Sequence, residues 1–265
     1  MDTHRGFADI NGTRLHYEMA GSGDPLVLIH GATLDTRMWD DQFAPFARDY
    51  QVIRYDMRGY GQSALPTAAS YAPVDDLMAL LRHLGLSRAH ILGLSLGGAV
   101  AIDFALAYPQ AAASLIVVDT GLRGFQWEAF GASFSQVQSM ALTSGIEAAK
   151  RRWLSDPLFA PALENAQVAA RLKQMVTDYS GWHWLNKPAM PASGLPAIQQ
   201  LGAITPPTLI IVGEHDLPDF QTIAELLHQR IPNASKVVMP DVGHMSNMEN
   251  PERFNEIVLG FLEER

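Results

Sequence analysis

Ser95, Asp216 and His244 are the residues whose types and order in this chain could do covalent chemistry. Ser95 is the middle of Gly93-Leu94-Ser95-Leu96-Gly97, a G-x-S-x-G stretch. Ala89 to Leu92 precedes it, short and apolar, and reads as a buried strand. Gly98 to Ala107 follows and reads as a helix that stops before Pro109. Strand, serine, helix is the context of a nucleophile elbow. Glycines at its edges remove Cβ atoms that a tight turn cannot hold. A serine hydroxyl is a weak nucleophile at neutral pH, so it needs a base, and the base needs an orienting acid. His244 supplies the base, in a Gly-containing loop (Val242-Gly243-His244-Met245) before the closing helix. Asp216, in Val212-Gly213-Glu214-His215-Asp216 just past a strand, is placed first as the acid. Asp119 at the end of the preceding strand is placed second, and Asp219 reads as an N-cap or first-turn residue. The amide of Leu96, directly after the serine, is one of the two donors an oxyanion hole requires.

These residues need a scaffold, and the rest of the chain reads as alternating strands and helices. Phe7–Ile10 and Leu15–Met19 flank Asn11-Gly12, a hairpin signal. Leu26–Ile29 is continuous and apolar, as in a strand buried on both faces of a parallel sheet. A modest helix over 37–47, a strand over 51–55, a glycine-punctuated loop over 56–63 and a helix over 73–84 lead to the elbow; a strand over 114–118 follows it. The alternation then stops. From 122 to 196 the chain is rich in Met, Phe and Trp and helical in pattern, with candidate helices over 127–142, 146–154 and 168–178 and breaks at Pro188, Pro191 and Pro196. It resumes with strands over 208–212 and 236–239 and helices over 220–229 and 251–263. The division expected is a core of residues 1–121 and 197–265 carrying a helical cap over 122–196, above the carboxyl ends of the strands where ligands bind.

Composition narrows the function classes. At 265 residues and 48% hydrophobic, the chain can bury one large core or a core plus a lid. A net charge of -9 argues against a nucleic-acid partner, because a phosphate backbone needs a basic face. The absence of cysteine excludes thiolate catalysis, disulfides and cysteine metal sites, and agrees with a cytoplasmic home. The polar start, Met1 to Gly6, has no apolar signal core, and no apolar run reaches membrane-spanning length.

The order Ser95, Asp216, His244 is the one found in α/β-hydrolases. The chain resembles a capped α/β-hydrolase over nearly its whole length. The resemblance rests on His30-Gly31, Asp56-x-Arg58-Gly59-x-Gly61-x-Ser63, Gly93-x-Ser95-x-Gly97-Gly98, Gly213-x-x-Asp216 and Gly243-His244. It implies a mostly parallel eight-stranded sheet with helices on both faces and no metal or organic cofactor. It also assigns the second oxyanion amide to Ala32, after His30-Gly31. The stretch Gly243 to Phe254, through Ser246-Asn247 and Glu249-x-Pro251, resembles the 3-oxoadipate enol-lactonases and related esterases. That implies hydrolysis of a lactone or small ester, with carbon–carbon hydrolysis of vinylogous diketones as the rival. Perhydrolysis and hydroxynitrile cleavage share the triad. A serine at the elbow disfavours haloalkane dehalogenase and epoxide hydrolase chemistry. A ligand receptor on the same fold is the alternative from another class; the three triad types argue against it. Oligomeric state stays open, a dimer included.

The expected substrate pocket takes in His30, Trp153, Trp182, Trp184 and Met245. Trp182-His183-Trp184 are of a kind to line an acyl pocket, and equally to fill a small cap core. His30 reads also as a structural hydrogen-bonding residue, and Arg58 as a bridge through Asp56 or Asp40. Arg151 and Arg152 are of a kind to hold a substrate carboxylate or to solvate a helix face. Met140, Met175 and Met190 are of a kind to form an adaptable wall or ordinary packing.

Overall fold

The computed structural model describes residues 2–67, 70–186 and 195–264. Its centre is one eight-stranded sheet in the order β1-β2-β4-β3-β5-β6-β7-β8. Strands β1 (Thr3–Ile10) and β2 (Thr13–Ala20) form the expected hairpin, with Ile10 opposite Thr13 across the two-residue Asn11-Gly12 turn. β2 also runs antiparallel to β4 (Gln51–Tyr55). From β4 onward every pair is parallel: β3 (Pro25–Ile29), β5 (Ala89–Leu94), β6 (Ala112–Val118), β7 (Thr208–Gly213) and β8 (Ala234–Met239). Every residue of β5 and β7 is buried, which requires helices on both faces.

The core helices are short and amphipathic where they meet solvent. A single 3₁₀ turn, Thr36–Trp39, leads into α1 (Asp40–Phe46), which contains Pro45 in its last turn and ends there. α2 (Pro73–His83) opens on proline, whose missing N–H is no loss in a first turn. α3 (Leu96–Ala107) is apolar all round, as a helix must be when it lies against β3, β5 and β6 on one side and α2 on the other.

The segment between β6 and β7 is helical: α4 (Ala129–Ser144), α5 (Ile146–Leu154), α6 (Ala160–Glu164), α7 (Ala166–Asp178) and α8 (Trp182–Leu185), with no strand among its described residues. Pro188, Pro191 and Met190 lie outside the described residues. α6 and α8 carry too few residues to show a period, and the sequence pattern alone missed them. After β7, α9 (Pro218–Arg230) packs on β7 and β8. The chain closes with α10 (Ser246–Glu249) and α11 (Pro251–Glu263). No helix among the described residues is long and apolar enough to cross a membrane.

Because β3, β5, β6, β7 and β8 are neighbours in the sheet and run the same way, the loops that leave their carboxyl ends are neighbours too. These loops carry Gly31–Thr33, Ser95, Asp119, Asp216 and His244.

Candidate active site

Ser95 sits between β5 and α3 with φ +56 and ψ -113, a conformation L-residues rarely adopt. It is held there from both sides: its N–H donates to Val118 O (2.9 Å), and its carbonyl accepts from Ala99 N and Gly121 N (3.1 Å each). The flanking glycines are sterically required. A Cβ on Gly93 would collide with the Gly97 carbonyl, and one on Gly97 with the carbonyls of Ile29 and His30. The helix start thus lies directly on the loop leaving β3. Leu96 opens α3, so its N–H has no carbonyl one turn earlier within the helix.

The loop after β3 is fixed by His30, which is fully buried. Its Nδ1 meets Gly31 O (2.8 Å) and its Nε2 accepts from Met57 N (2.9 Å). Burial lowers the His30 pKa despite the nearby Asp56, so the ring is neutral, as these two bonds require. A Cβ on Gly31 would lie 3.5 Å from Ser95 Cβ, which places Ala32 beside the serine. Thr33 follows with φ +65, strained for a β-branched residue. Its hydroxyl accepts from Trp153 Nε1 of α5 (2.8 Å).

His244 and Asp216 are both buried, and Nδ1 of the histidine lies 2.9 Å from Asp216 Oδ2 and 3.1 Å from Oδ1. Asp216 Oδ1 also accepts from Leu217 N (2.7 Å). His244 Nε2 has no hydrogen-bond partner among the described residues, Ser95 included. The Phe220 ring packs on the imidazole at 4.3 Å between centroids and lines the same cavity as Ser95. The stretch after His244 is an anchor. Glu249 accepts from the amides on either side of the histidine, Gly243 N (2.7 Å) and Met245 N (2.9 Å). Asn247 Nδ2 donates to Met38 O (2.9 Å) and Gln42 Oε1 (3.1 Å).

Asp119 is as buried as Asp216 but faces other partners. Oδ1 accepts from Gly213 N (2.8 Å) and Oδ2 from the Ser246 hydroxyl (2.6 Å). Burial and then the charge of Asp216 push its pKa well above the carboxylate range, against those two bonds. The imidazole is bonded to Asp216. Asp219 lies in the first turn of α9, as expected, and does a second job: its carboxylate accepts from Glu128 N (3.4 Å) and Phe130 N (3.0 Å), capping α4 from outside.

A mainly apolar cavity of about 600 Å³ opens over Ser95. Ala32 and Leu96 line it with the serine. The walls correct the expected pocket, since His30, Trp153, Trp182, Trp184 and Met245 are not among its lining residues. His30 lies beneath the loop. Trp153 and Trp184 are buried packing of the inserted helices, 6.5 Å apart between ring centroids. Met245 is buried at the start of α10, and Trp182 packs edge-on against His183. The aromatic wall is instead Trp127, Phe130, Phe134 and Phe220, with Tyr60 and His183. Phe130 and Phe134, one helical turn apart on α4, carry the signal that could have found them.

The charged residues also differ from expectation. Arg58 is bound to Asp76 by two bonds (2.7 and 2.9 Å), not to Asp56 or Asp40; Asp40 is met by Arg54 (2.6 Å). Asp56 accepts instead from Thr36 N, Gln62 N and His16 Nδ1. Arg152 pairs with Asp156 (3.3 Å) and Ser133 (2.8 Å) and Arg151 is exposed, so neither reaches the cavity wall. Met175 is buried packing.

A serine in a strained strand-to-helix turn, a buried His–Asp pair on later loops of the same parallel sheet, and an inserted helical wall define an α/β enzyme of the nucleophile-elbow type. The pattern of the alpha/beta hydrolase family matches residues 26–257, and the chain belongs to that family. Similar proteins include 3-oxoadipate enol-lactonase 1 of Acinetobacter baylyi, 28% identical over 239 residues that cover 89% of this chain and 88% of that one. The enol-lactonase from Burkholderia xenovorans LB400 superposes with a TM-score of 0.86 at 27% identity, covering 97% of this chain and all of the other. A thermophilic esterase from Thermogutta terrifontis does so at 0.85 and 29%, covering 98% of each. The enol-lactonase likeness read from residues 243–254 is met again at the scale of the whole chain.

Proposed function

We propose that the protein is a serine hydrolase that cleaves a carboxylic ester or lactone of a small hydrophobic substrate through an acyl-enzyme. The observation that carries this reading is Ser95, on its strained turn, in the wall of an apolar cavity shared with the ring that packs on His244. Names of similar proteins, enol-lactonase and esterase, agree with it.

In this reading Ser95 Oγ attacks the carbonyl carbon. The Ser95 hydroxyl meets His244 Nε2 in the substrate complex, a contact of the kind that tightens only as the reaction proceeds. Nε2 takes the serine proton while Asp216 stabilises the imidazolium through Nδ1. The amides of Leu96 and Ala32 receive the oxyanion, each worth a few kcal/mol, about 3, of barrier. His244 returns the proton to the leaving alkoxide; in a lactone the alcohol stays tethered to the acyl group. Water, deprotonated by the same nitrogen, then attacks the acyl carbon, and the proton passes to the Ser95 oxygen as the acid leaves. Residues 122–196 act as the cap, since α4 and α8 supply walls of the cavity.

The experiment is turnover of short p-nitrophenyl esters, an aliphatic lactone and a vinylogous diketone by the wild type and Ser95→Ala. Turnover of ester or lactone that vanishes in Ser95→Ala is expected. Turnover that survives the substitution overturns the assignment of the nucleophile, and Ser95-dependent cleavage of the diketone alone replaces the ester reading with the carbon–carbon one.

A further inference from the structure

At one wall of the cavity the apolar lining gives way to a chain of hydrogen bonds that the mechanism above does not use. His183, on α8, joins two tyrosines: its Nδ1 lies 3.1 Å from the Tyr179 hydroxyl and its Nε2 2.9 Å from the Tyr71 hydroxyl. The imidazole is stacked on Tyr60, 4.3 Å between centroids and 11° from parallel. His183, Tyr60 and Tyr71 all line the cavity.

The Tyr179 hydroxyl also shares a hydrogen bond with Tyr60, which raises the Tyr60 pKa and works to lower that of Tyr179, as when Tyr60 donates, and the other protons follow from that. The buried Tyr179 hydroxyl then accepts from Tyr60 and from the His183 backbone N–H (3.0 Å), and its own proton goes to Nδ1. Nδ1 is then an acceptor, and in a neutral ring Nε2 carries the hydrogen. Burial, and then the neighbouring His30, bring the His183 pKa down to about 4, which keeps the ring neutral. Nε2–H therefore donates to the Tyr71 oxygen. The Tyr71 proton is left to donate outward, and among the described residues no acceptor takes it. The Arg58 guanidinium lies over the Tyr71 ring, 4.7 Å from its centroid, and draws charge from the phenol. The same wall holds the Tyr55 hydroxyl, which is buried and has no hydrogen-bond partner among the described residues.

The charge at this wall is already balanced. Arg58 is closed by Asp76, and both line the cavity; Arg123, further along, is paired with Asp103 (3.0 Å). A ligand carboxylate would meet Asp76 and Asp103 as well as the arginines they hold. A neutral oxygen needs one donor, and Tyr71 has one.

We propose that the Tyr71 hydroxyl, oriented by His183, is a hydrogen-bond subsite for an uncharged oxygen of the substrate other than the scissile carbonyl, such as an ether or ketone oxygen on an otherwise apolar acyl chain. This rests on the ester-hydrolase reading for the word substrate. The scissile carbonyl oxygen is taken by the Leu96 and Ala32 amides, so the Tyr71 donor serves a second oxygen and selects substrates that carry one.

The test is calorimetric binding, so that it stands apart from turnover. The probes are heptananilide and three isosteric anilides in which carbon 4, 5 or 6 of the chain is replaced by an ether oxygen. Wild type and Tyr71→Phe are compared, with Ser95→Ala in both backgrounds. The ratio of affinities within each protein is read, so a general loss of fold or pocket cancels. The wild type is expected to favour one of the ethers over heptananilide by about three- to tenfold, the worth of one ordinary hydrogen bond. Tyr71→Phe is expected to abolish that preference. A wild type that favours none of the ethers, or a preference that survives in Tyr71→Phe, overturns the subsite. Should the preference be found while no ester or lactone is turned over, the subsite stands and the hydrolase reading fails.

Discussion

Two buried aspartates lie within reach of the same region, and exchanging each for asparagine separates their roles. Asp216 receives His244 Nδ1 at 2.9 Å. In Asp216→Asn the amide either donates to Nδ1 or turns its oxygen there without charge. The first choice forces the proton to Nε2 and destroys the base; the second leaves the imidazolium unsupported. In triads of this kind the loss is ~10⁴ in kcat, about 5 kcal/mol of barrier. Asp119 instead accepts from Gly213 N (2.8 Å) and Ser246 Oγ (2.6 Å), and burial, then the Asp216 charge, raise its pKa. Asparagine has the shape of this aspartate without its charge: its oxygen can keep Gly213 N, and its NH₂ can donate to the Ser246 oxygen. One rearranged bond, about 1 kcal/mol, corresponds to about fivefold in rate. The assay is steady-state hydrolysis of a p-nitrophenyl ester over pH 5–9, with circular dichroism on each variant. Asp119→Asn is expected to keep kcat/KM within about tenfold of wild type while Asp216→Asn falls by orders of magnitude. Equal losses, or a larger loss at Asp119, would refute the assignment of the acid.

Stability should fall with acid through His183. Its pKa drops from 6.5 unfolded to about 4 folded, so between those values the unfolded chain binds more protons and stability is lost as pH falls. The full span is worth up to ~3 kcal/mol, less what the partly exposed ring regains from solvent. Urea melts of wild type and His183→Asn at pH 7 and pH 4.5 check this: the variant should lose less on acidification, and equal losses would remove His183 from the account. At the elbow, Gly97→Ala should cost more than about 3 kcal/mol, because the new Cβ would meet the backbone carbonyls of Ile29 and His30 rather than a side chain that can move. Denaturation at wild-type midpoint would show that the turn is looser than its geometry implies.

The candidate triad residues could be singled out because chain order and local context restrict them. A serine between a short apolar run and a helix, then an aspartate and a histidine each just past a strand, is a pattern in one dimension. The sheet was legible for the same reason: β3, β5 and β7 are largely apolar runs, broken only by His90 and Thr208, because both their faces are covered. Even Glu249, which holds the amides beside His244, lies in the stretch that carried the enol-lactonase likeness, although its bonds were not foreseen.

The pocket was not legible, and the reason is physical. Trp153, Trp184 and Phe130 are all large aromatics on helices of the same inserted segment, and composition treats them alike. Which of them faces the cavity depends on how α4, α5 and α8 rotate against one another and against α9. That is set by distant contacts: Asp219 capping α4, Trp153 bonding Thr33, and His183 stacking on Tyr60. By itself the sequence determined the fold and singled out one candidate nucleophile, one candidate base and an order of acids to consider. Only the tertiary structure decided that the imidazole is bonded to Asp216, that Arg58 is spent on Asp76, and that tyrosines rather than Trp182 and Trp184 flank the polar wall. Local pattern specifies what a segment will form, whereas these partners lie tens to hundreds of residues apart and meet only when the helices have packed.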